Sequence, residues 1–445
     1  MNKLKQLLIE STFLKVYLFI VLGYFLVQFV TLLNHPSYDY RDFDSYYYAA
    51  KNVFTNRIYE FHTVGEDLPL HSMLTKKMME KMPMLKPDFL PFAKELQAAT
   101  GLNPIALNRA FVFPYLYPPV LAFYIYPLTL ISKLIAFPVW HFLLYAFYFL
   151  ALVVAIEKLS DEKINLQSKT SVMFFLLLLF FVMPMNNSLY WSQVNGIVLG
   201  LFTIAIFKYK DSPILASSCM AFSILIKMSP ALFLVYFFLK KEFRFLLYTF
   251  LSSVVIIIPT LFFKGITNWI HFFKNLPNIS FGEKAIMGTV TVIGSGNHSL
   301  KAFVYKVLPW DFPHLSYVHY ICGIVLLLFS LFVYFRMKNV SGREEILIIQ
   351  LNILLIILSP MTWYHHLVFL FPSVVLLFVL YERNKQYSLL HLGFLAVIFY
   401  LIFYPVDVLV SHNLYIQTFF ESFILLGLMS LFFYVSFLGK KEIPL

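Results

Sequence analysis

The stretch Ala136–Ile156, AFPVWHFLLYAFYFLALVVAI, followed at once by the charged run Glu157-Lys158-Leu159-Ser160-Asp161-Glu162-Lys163, decides the fold. About twenty apolar residues wound as a helix span the hydrocarbon core of a bilayer. An abrupt run of charge marks the point where such a helix meets water. The same alternation recurs from end to end of the 445 residues, of which 60% are hydrophobic and only 13% charged. A soluble domain carries roughly 25% charged residues, so this chain lacks the polar surface to cover soluble domains. A transmembrane barrel would show short alternating segments instead. The sequence therefore reads as an all-α polytopic membrane protein.

The formal charge of +11 would raise nucleic-acid binding in a soluble protein. Lys and Arg also bias membrane topology, and that is the use the chain makes of them. From a cytoplasmic start, crossings are expected at Phe13–Leu33, Ala136–Ile156, Ser171–Pro184, Tyr190–Phe207, Ile214–Ile226, Ala231–Leu239, Phe245–Phe263, Tyr317–Phe335, Ile346–Leu358, Leu367–Leu380, Leu389–Tyr404 and Ile416–Leu438. Every short loop this assigns to the cytoplasm contains Lys or Arg, whereas the short outer loops Met185–Leu189, Ser359–His366 and Pro405–Tyr415 contain none. Most of the positive excess is thus topological, and no nucleic-acid partner is expected. Ile214–Leu239 reads either as two short crossings broken at Pro230 or as one long helix, which would invert everything after it. Met1–Leu33 reads as a retained first helix, since no small-residue cleavage site follows its apolar core. Cys219 and Cys322 both lie in apolar runs and imply no disulfide framework.

Five regions follow: residues 1–33 with the first helix, a first outer loop at 34–134, a transmembrane core at 135–263, a second outer loop at 264–316, and a C-terminal bundle at 317–445. Within the first loop, Leu70–Gln97 spaces Met and Leu among lysines in the manner of short interfacial helices; an ordinary solvated loop is the other reading. Phe111–Ile131 is apolar but interrupted by Pro114, Pro118, Pro119 and Pro127. Proline removes a helical hydrogen bond, so a half-embedded outer helix is expected there.

Four polar motifs fall on the outer face. The first, Arg41-Asp42-Phe43-Asp44-Ser45-Tyr46-Tyr47-Tyr48, offers carboxylates that can take a proton from an alcohol. Asp42 and Asp44 also resemble a pair able to hold a divalent cation. Tyr115-Leu116-Tyr117-Pro118-Pro119 stiffens the chain at headgroup level. Trp191-Ser192-Gln193-Val194-Asn195-Gly196 brings amides, which both donate and accept and so suit sugar hydroxyls. Lys227-Met228-Ser229-Pro230 follows, with a lysine at an apolar segment that suits a phosphate or snorkels to the surface. The fourth, Ser359-Pro360-Met361-Thr362-Trp363-Tyr364-His365-His366, places adjacent histidines that point in different directions and suit phosphate binding or proton transfer better than a shared metal. Gly294-Ser295-Gly296-Asn297-His298-Ser299 joins them, its glycines permitting close approach to a ligand. No P-loop, zinc-type spacing or nucleophile elbow is present.

In this order, Asp42-Phe43-x-x-Tyr46-Tyr47-x-Ala49-Ala50, Tyr117-Pro118-Pro119, Gln193-x-Asn195, Lys227-x-x-Pro230, Asn297-x-Ser299 and Ser359-Pro360-x-x-Trp363-x-His365-His366 resemble glycosyltransferase family 87, of the GT-C superfamily. The resemblance covers roughly Asp42 to Pro372. It departs at Ser192 and at Asn56, where glycine is more usual. It implies a GT-C fold with about twelve transmembrane helices and outer loops carrying interfacial helices. It also implies inverting transfer of a hexose, often mannose, from a polyprenyl-phosphate donor to a glycolipid or glycan hydroxyl. That places the active site outside the cytoplasm, on the periplasmic or outer face of a bacterial plasma membrane. An essential aspartate of the first outer loop maps to Asp42. Asp44, Tyr46, Tyr117, Gln193, Asn195, Lys227, Asn297, His298, Trp363, His365 and His366 are then the candidate substrate-binding residues, with no cofactor or metal expected. A lipid-linked sugar transporter or flippase, and a polysaccharide ligase or polymerase, are the alternatives.

Overall fold

The computed structural model describes residues 12–34, 41–55, 58–59, 62–63, 111–112, 115–164, 174, 177–280, 296–308, 315–384, 389–403, 414–438 and 440–441. Their helices are α1 (Thr12–Asn34), α2 (Arg41–Lys51), α3 (Pro119–Ile125), α4 (Lys133–Asp161), α5 (Val182–Tyr190), α6 (Asn195–Phe207), α7 (Pro213–Ile226) and α8 (Leu234–Leu239). There follow α9 (Phe243–Ile257), α10 (Gly265–Ser280), α11 (Leu300–Val307), α12 (Leu315–Arg336), α13 (Arg343–Ile357), α14 (Phe371–Asn384), α15 (Leu389–Phe403) and α16 (Leu414–Tyr434). Strand pairing among the described residues is limited to two antiparallel clips. One joins His62–Thr63 to Phe111–Val112, and the other joins Val340–Ser341 to Lys440–Lys441.

Among the described residues, four helical segments, Lys133–Asp161, Phe243–Leu261, Tyr317–Arg336 and Tyr364–Arg383, are long and apolar enough to cross a membrane; eight more apolar segments are shorter, at 10–17 residues. Their burial separates an inner from an outer layer. Every residue of α13 from Ile346 to Ile357 is buried, as is Leu367–Tyr381, the signature of helices apolar all round and packed in a core. In contrast, only 17% of the Phe243–Leu261 window is buried. Phe19, Phe250, Val255, Ile321 and Phe335 stand open on α1, α9 and α12. Exposed aliphatic and aromatic side chains on this scale require an apolar surrounding.

Two boundaries differ from the sequence reading. The short outer loop expected at Met185–Leu189 is helical, because α5 runs through it to Tyr190; the turn falls instead at Trp191–Val194. Asn186, Asn187 and Ser188 are weak helix formers, but Trp140 Nε1 donates to Ser192 O at 3.0 Å and His141 Nε2 lies 3.1 Å from Leu189 O, anchoring the turn to α4. The break in Ile214–Leu239 falls at Lys227, which is extended (φ −142°, ψ 113°), and not at Pro230. Pro230 instead enters the first turn of the 3-10 segment Ser229–Phe233, where its missing N–H costs nothing. The second outer stretch opens with α10. Asn268 Nδ2 of α10 donates to Val53 O at 3.0 Å and Thr55 O at 2.9 Å, tying it to the first outer stretch. The expected interfacial helices of Leu70–Gln97 lie outside the described residues, as do Asn56, Gly294 and Ser295 and most of Pro405–Tyr415.

The bundle has two polar ends. At one, Lys208 pairs with Glu157 at 2.9 Å, Lys158 with Glu162 at 2.6 Å, Arg383 with Glu345 at 2.7 Å, and Lys240 with Glu344. All of these residues except Lys240 line a cavity of about 1050 Å³, as do Asp211, Tyr236 and Arg343. Each short loop expected to face the cytoplasm between α4 and α14 contributes to this cluster. Asp211, before α7, and Lys240, after α8, both belong to it, so α7 leaves this end and the 3-10 segment with α8 returns to it. The motifs Gln193–Asn195, Lys227 and Trp363–His366 gather at the other end.

Candidate active site

α2 begins with two acids in its first turn, Asp42 and Asp44, where the positive end of the helix dipole favours them. Residues two apart on a helix point in different directions, whereas those four apart share a face. Asp42 therefore shares a face with Tyr46, and Asp44 shares another with Tyr48. Lys133 takes up the second face: its Nζ lies 2.9 Å from Asp44 Oδ1 and 5.5 Å from the centre of the Tyr48 ring. The expected carboxylate pair is thus divided, with an ammonium already beside Asp44.

The first face looks onto a hydrogen-bonded trio from three elements. Tyr46 Oη lies 3.3 Å from Tyr117 Oη and 3.4 Å from Gln193 Oε1, and Tyr117 Oη donates to the same Gln193 oxygen at 3.1 Å. Pro118 and Pro119 fix the approach of Tyr117, while Tyr115 Oη donates to Pro118 O at 2.7 Å and accepts from Ala122 N at 3.1 Å. In this arrangement the Gln193 carbonyl faces both tyrosines and its NH₂ group faces away from them. Burial, with added repulsion from neighbours that include Asp42, holds the Tyr46 and Tyr117 hydroxyls well above the usual phenol range, so both stay protonated donors.

Two residues past Gln193, Asn195 opens α6. Lys227 Nζ donates to Asn195 Oδ1 at 2.9 Å and lies 2.8 Å from His366 Nε2. Burial pushes the Lys227 amine down to about 7, while the Asp42 carboxylate pulls it up. Asp42 thus acts on Tyr46, Tyr117 and Lys227 together. Asn195 Nδ2 also donates to His365 O at 3.3 Å, and His365 Nδ1 lies 3.3 Å from Asn187 Oδ1. The two histidine rings stand nearly perpendicular, at 80°, each serving a different partner.

Asn297 and His298 play another part. Asn297 Oδ1 accepts from Thr362 N at 3.0 Å and Ser299 N at 3.1 Å, and His298 N donates to Thr362 O at 2.7 Å. Gly296, with φ +90°, runs close against the Trp363 ring, a backbone state that favours glycine. This segment braces the turn that carries Trp363, His365 and His366. Trp363 in turn gives its backbone N–H to His366 Nδ1 at 3.1 Å.

The structure therefore gathers Asp42, Tyr46, Tyr117, Gln193, Asn195, Lys227, His365 and His366, turns Asp44 away, and makes Asn297 a bracket. Sequence reasoning passed over Lys133 and Asn187. Lys133 sits at the foot of a long apolar helix, where a lysine signals only the membrane boundary. Asn187 lay in what read as a loop. Ser192, the departure from the expected glycine, has φ +57°, the left-handed state that explains why glycine is usual there.

A family model described as glycosyltransferase family 87 matches residues 115–360, just over half of the chain. The match takes in Tyr117, Gln193, Asn195, Lys227, Asn297 and His298; Asp42 precedes it, and Trp363, His365 and His366 follow it. A polyprenol-phosphate-mannose-dependent alpha-(1-2)-phosphatidylinositol mannoside mannosyltransferase of Mycobacterium tuberculosis is 20% identical over 230 residues, 52% of this chain and 51% of that protein. The chain thus spans about half the length of the curated relative it matches. No solved structure matches. With the family's pattern running through the tyrosine, amide and lysine elements of one site, the chain belongs to glycosyltransferase family 87.

Proposed function

We propose that this protein transfers a hexose, mannose in the reading its relative favours, from a polyprenyl-phosphate donor to a hydroxyl of a glycolipid or glycan, with inversion, on the extracytoplasmic side of the bacterial plasma membrane. The acceptor oxygen attacks the anomeric carbon while Asp42 takes its proton. The bond from that carbon to the phosphate oxygen breaks, and its electrons remain on the departing lipid phosphate. A base and a positively poised group must then face one space. The observation that carries the reading is that one end of the bundle brings the tyrosine–Gln193 trio, on the face of α2 that Asp42 shares, together with Lys227 on Asn195 and His366, with Asp42 in electrostatic range of Tyr46, Tyr117 and Lys227. Sugar hydroxyls suit those amides and phenols, and the histidines beside Lys227 suit the phosphate.

Sidedness rests on charge. The end opposite the site collects the Lys- and Arg-bearing loops, which belong in the cytoplasm by the positive-inside rule. On that basis the helical segments fit about twelve crossings, with α3 half embedded at the outer surface. A transporter would place its ionisable groups near the midplane, whereas here they gather at one end, beside the outer stretches. No metal is invoked in the proposed chemistry, since a departing lipid phosphate carries less charge and needs less metal assistance than a nucleotide diphosphate, and Lys133 already pairs with Asp44.

The test is turnover of purified protein in detergent with polyprenyl-phosphate mannose and glycolipid acceptors. Asp42→Asn is expected to lower kcat by at least ~100-fold, within the typical range for a general base, and EDTA to leave wild-type turnover unchanged. An Asp42→Asn enzyme working near the wild-type rate would overturn the assignment.

A further inference from the structure

The contact between Lys227 and His366 has an inconsistency if both side chains are read in their ordinary states. The Trp363 N–H points at His366 Nδ1 from 3.1 Å, so Nδ1 is the accepting nitrogen. A neutral imidazole with an accepting Nδ1 carries its proton on Nε2. That Nε2 lies 2.8 Å from Lys227 Nζ. An ammonium has no lone pair and accepts nothing, so an Nε2–H facing Lys-NH₃⁺ at this distance would set proton against proton. An imidazolium would make the conflict worse. A neutral amine satisfies both contacts of Nζ: its lone pair accepts from Nε2–H, and one of its own N–H groups donates to Asn195 Oδ1 at 2.9 Å.

We propose that at mildly alkaline pH Lys227 rests as an uncharged amine accepting the His366 proton, and that the site there acquires its positive charge when the donor's phosphodiester enters, taking one proton from water. This deepens the transfer reading above and rests on it. A phosphodiester oxygen lodged between Nζ and Nε2 accepts from both. His366 keeps its tautomer and its bond to Trp363, and simply redirects Nε2–H from the amine to the phosphate. The freed lone pair of Lys227 then binds a proton, giving Lys-NH₃⁺ beside a monoanion, so charge balances. The amine is poised for this step. Burial brings it down to about 7, and the opposing pull comes from Asp42 of α2. The remaining groups facing it are His365 and His366 of the Trp363–His366 turn, Asn195 of α6, and the Phe369 ring, 5.4 Å from Nζ. None supplies a second full negative charge, which is what the phosphate brings. A charge created on binding avoids holding an unpaired cation in a desolvated site, and it pre-positions a cation for the second charge that develops on the phosphate as the sugar leaves.

The experiment is titration calorimetry of the full-length wild-type protein in detergent with polyprenyl-phosphate mannose and no acceptor, in two buffers of different ionisation enthalpy. A phosphodiester does not titrate near neutrality, so the buffer-dependent heat counts protons taken up by the protein. About one proton per donor is expected at pH 8.5 and little at pH 6. With the free amine at about 7, linkage makes the donor Kd roughly fifteen-fold weaker at pH 8.5 than at pH 7. Lys227→Arg, charged at every pH used, is expected to bind the donor with no proton uptake. Donor binding by the wild type at pH 8.5 without uptake would overturn the inference while leaving the transfer reading intact. Uptake that persists unchanged in Lys227→Arg would overturn it equally. Failure of the wild type to bind the donor at any pH would sink the transfer reading, and the inference with it.

Discussion

Lys133 offers a direct test of how the first outer helix is held. Its ammonium lies 2.9 Å from Asp44 Oδ1, and the two side chains are 20% and 7% exposed. At an effective dielectric of 20, the gross attraction at that distance is about 6 kcal/mol, much of it offset by desolvation. The two ways of breaking the pair are unequal. Lys133→Met removes this ammonium from a carboxylate with little access to water, which costs about 3 kcal/mol, the low end for a buried pair. Asp44→Asn leaves a carbonyl oxygen for the ammonium to bond, and Lys133 has a route to water, so its loss is about 1 kcal/mol. The double variant, with neither charge, is expected to be more stable than Lys133→Met alone.

Thermal unfolding in detergent ranks the three, and Lys133→Met should lower Tm by an amount on the order of 5 °C. Turnover reports the consequence for Asp42, which sits two residues before Asp44 on the opposite face of the same helix. Loosening that helix displaces the base, and a displacement of about 1 Å costs up to ~100-fold in rate. The loss should appear in kcat, with donor KM little changed. If Lys133→Met is no worse than Asp44→Asn, or if the double variant shows the plain sum of the two, Lys133 does not hold this helix.

Ser192→Gly should raise Tm modestly, by up to ~1 kcal/mol of relieved left-handed strain, and keep activity; a fall in Tm would mean that the Ser192 hydroxyl, 3.5 Å from His141 Nε2, outweighs the strain. Gly200→Ala should lower Tm by ~1–3 kcal/mol equivalent, because an added Cβ would meet Phe147 O at 2.8 Å and Phe147 Cδ1 at 2.7 Å; an unchanged Tm would show that α4 and α6 can separate freely. At the charged end, burial raises the Glu162 carboxyl, but Lys158 and Arg383 outweigh it and bring it below the usual 4.5. That stabilisation is present above the unfolded value and lost as pH falls through the folded one. Wild-type Tm should therefore drop more steeply below pH ~4.5 than that of Glu162→Gln, and parallel curves would contradict this.

The apolar periods and basic loops were legible because each is a local signal: Ala136–Ile156 is a bilayer-length run whatever its neighbours do. The divided roles of Asp42 and Asp44 were legible in principle, since two residues apart on a helix cannot share a face, but only once Arg41–Lys51 is known to be helical. Short polar segments such as Arg41–Lys51 and Met185–Tyr190 have weak intrinsic preference, and their state is set by tertiary partners: Lys133 and Tyr117 for the first, Trp140 and His141 for the second. Lys133 and Asn187 were invisible for the same reason. Each gains meaning only from a residue more than 80 positions away. The amide pair Gln193 and Asn195 was found as a motif, yet nothing local tells that one binds tyrosines and the other a lysine.

The arrangement at Lys227 bears on why a membrane enzyme would build its site this way. A desolvated site that held a permanent ammonium opposite Asp42 would close on itself as an ion pair, and the donor would have to break that pair to enter. Here the amine is occupied by Asn195 and His366, which are uncharged, and Asp42 remains half-buried at the start of α2. Base and cation are thus kept from neutralising one another until the phosphate separates their tasks. The same logic bears on Lys133: it is tied to Asp44, two residues from Asp42 and on the other face of α2. A Lys133→Arg protein, with a longer and branched cation, should test that separation, because any turnover loss beyond that of the Asp44→Asn protein would mean the guanidinium reaches Asp42.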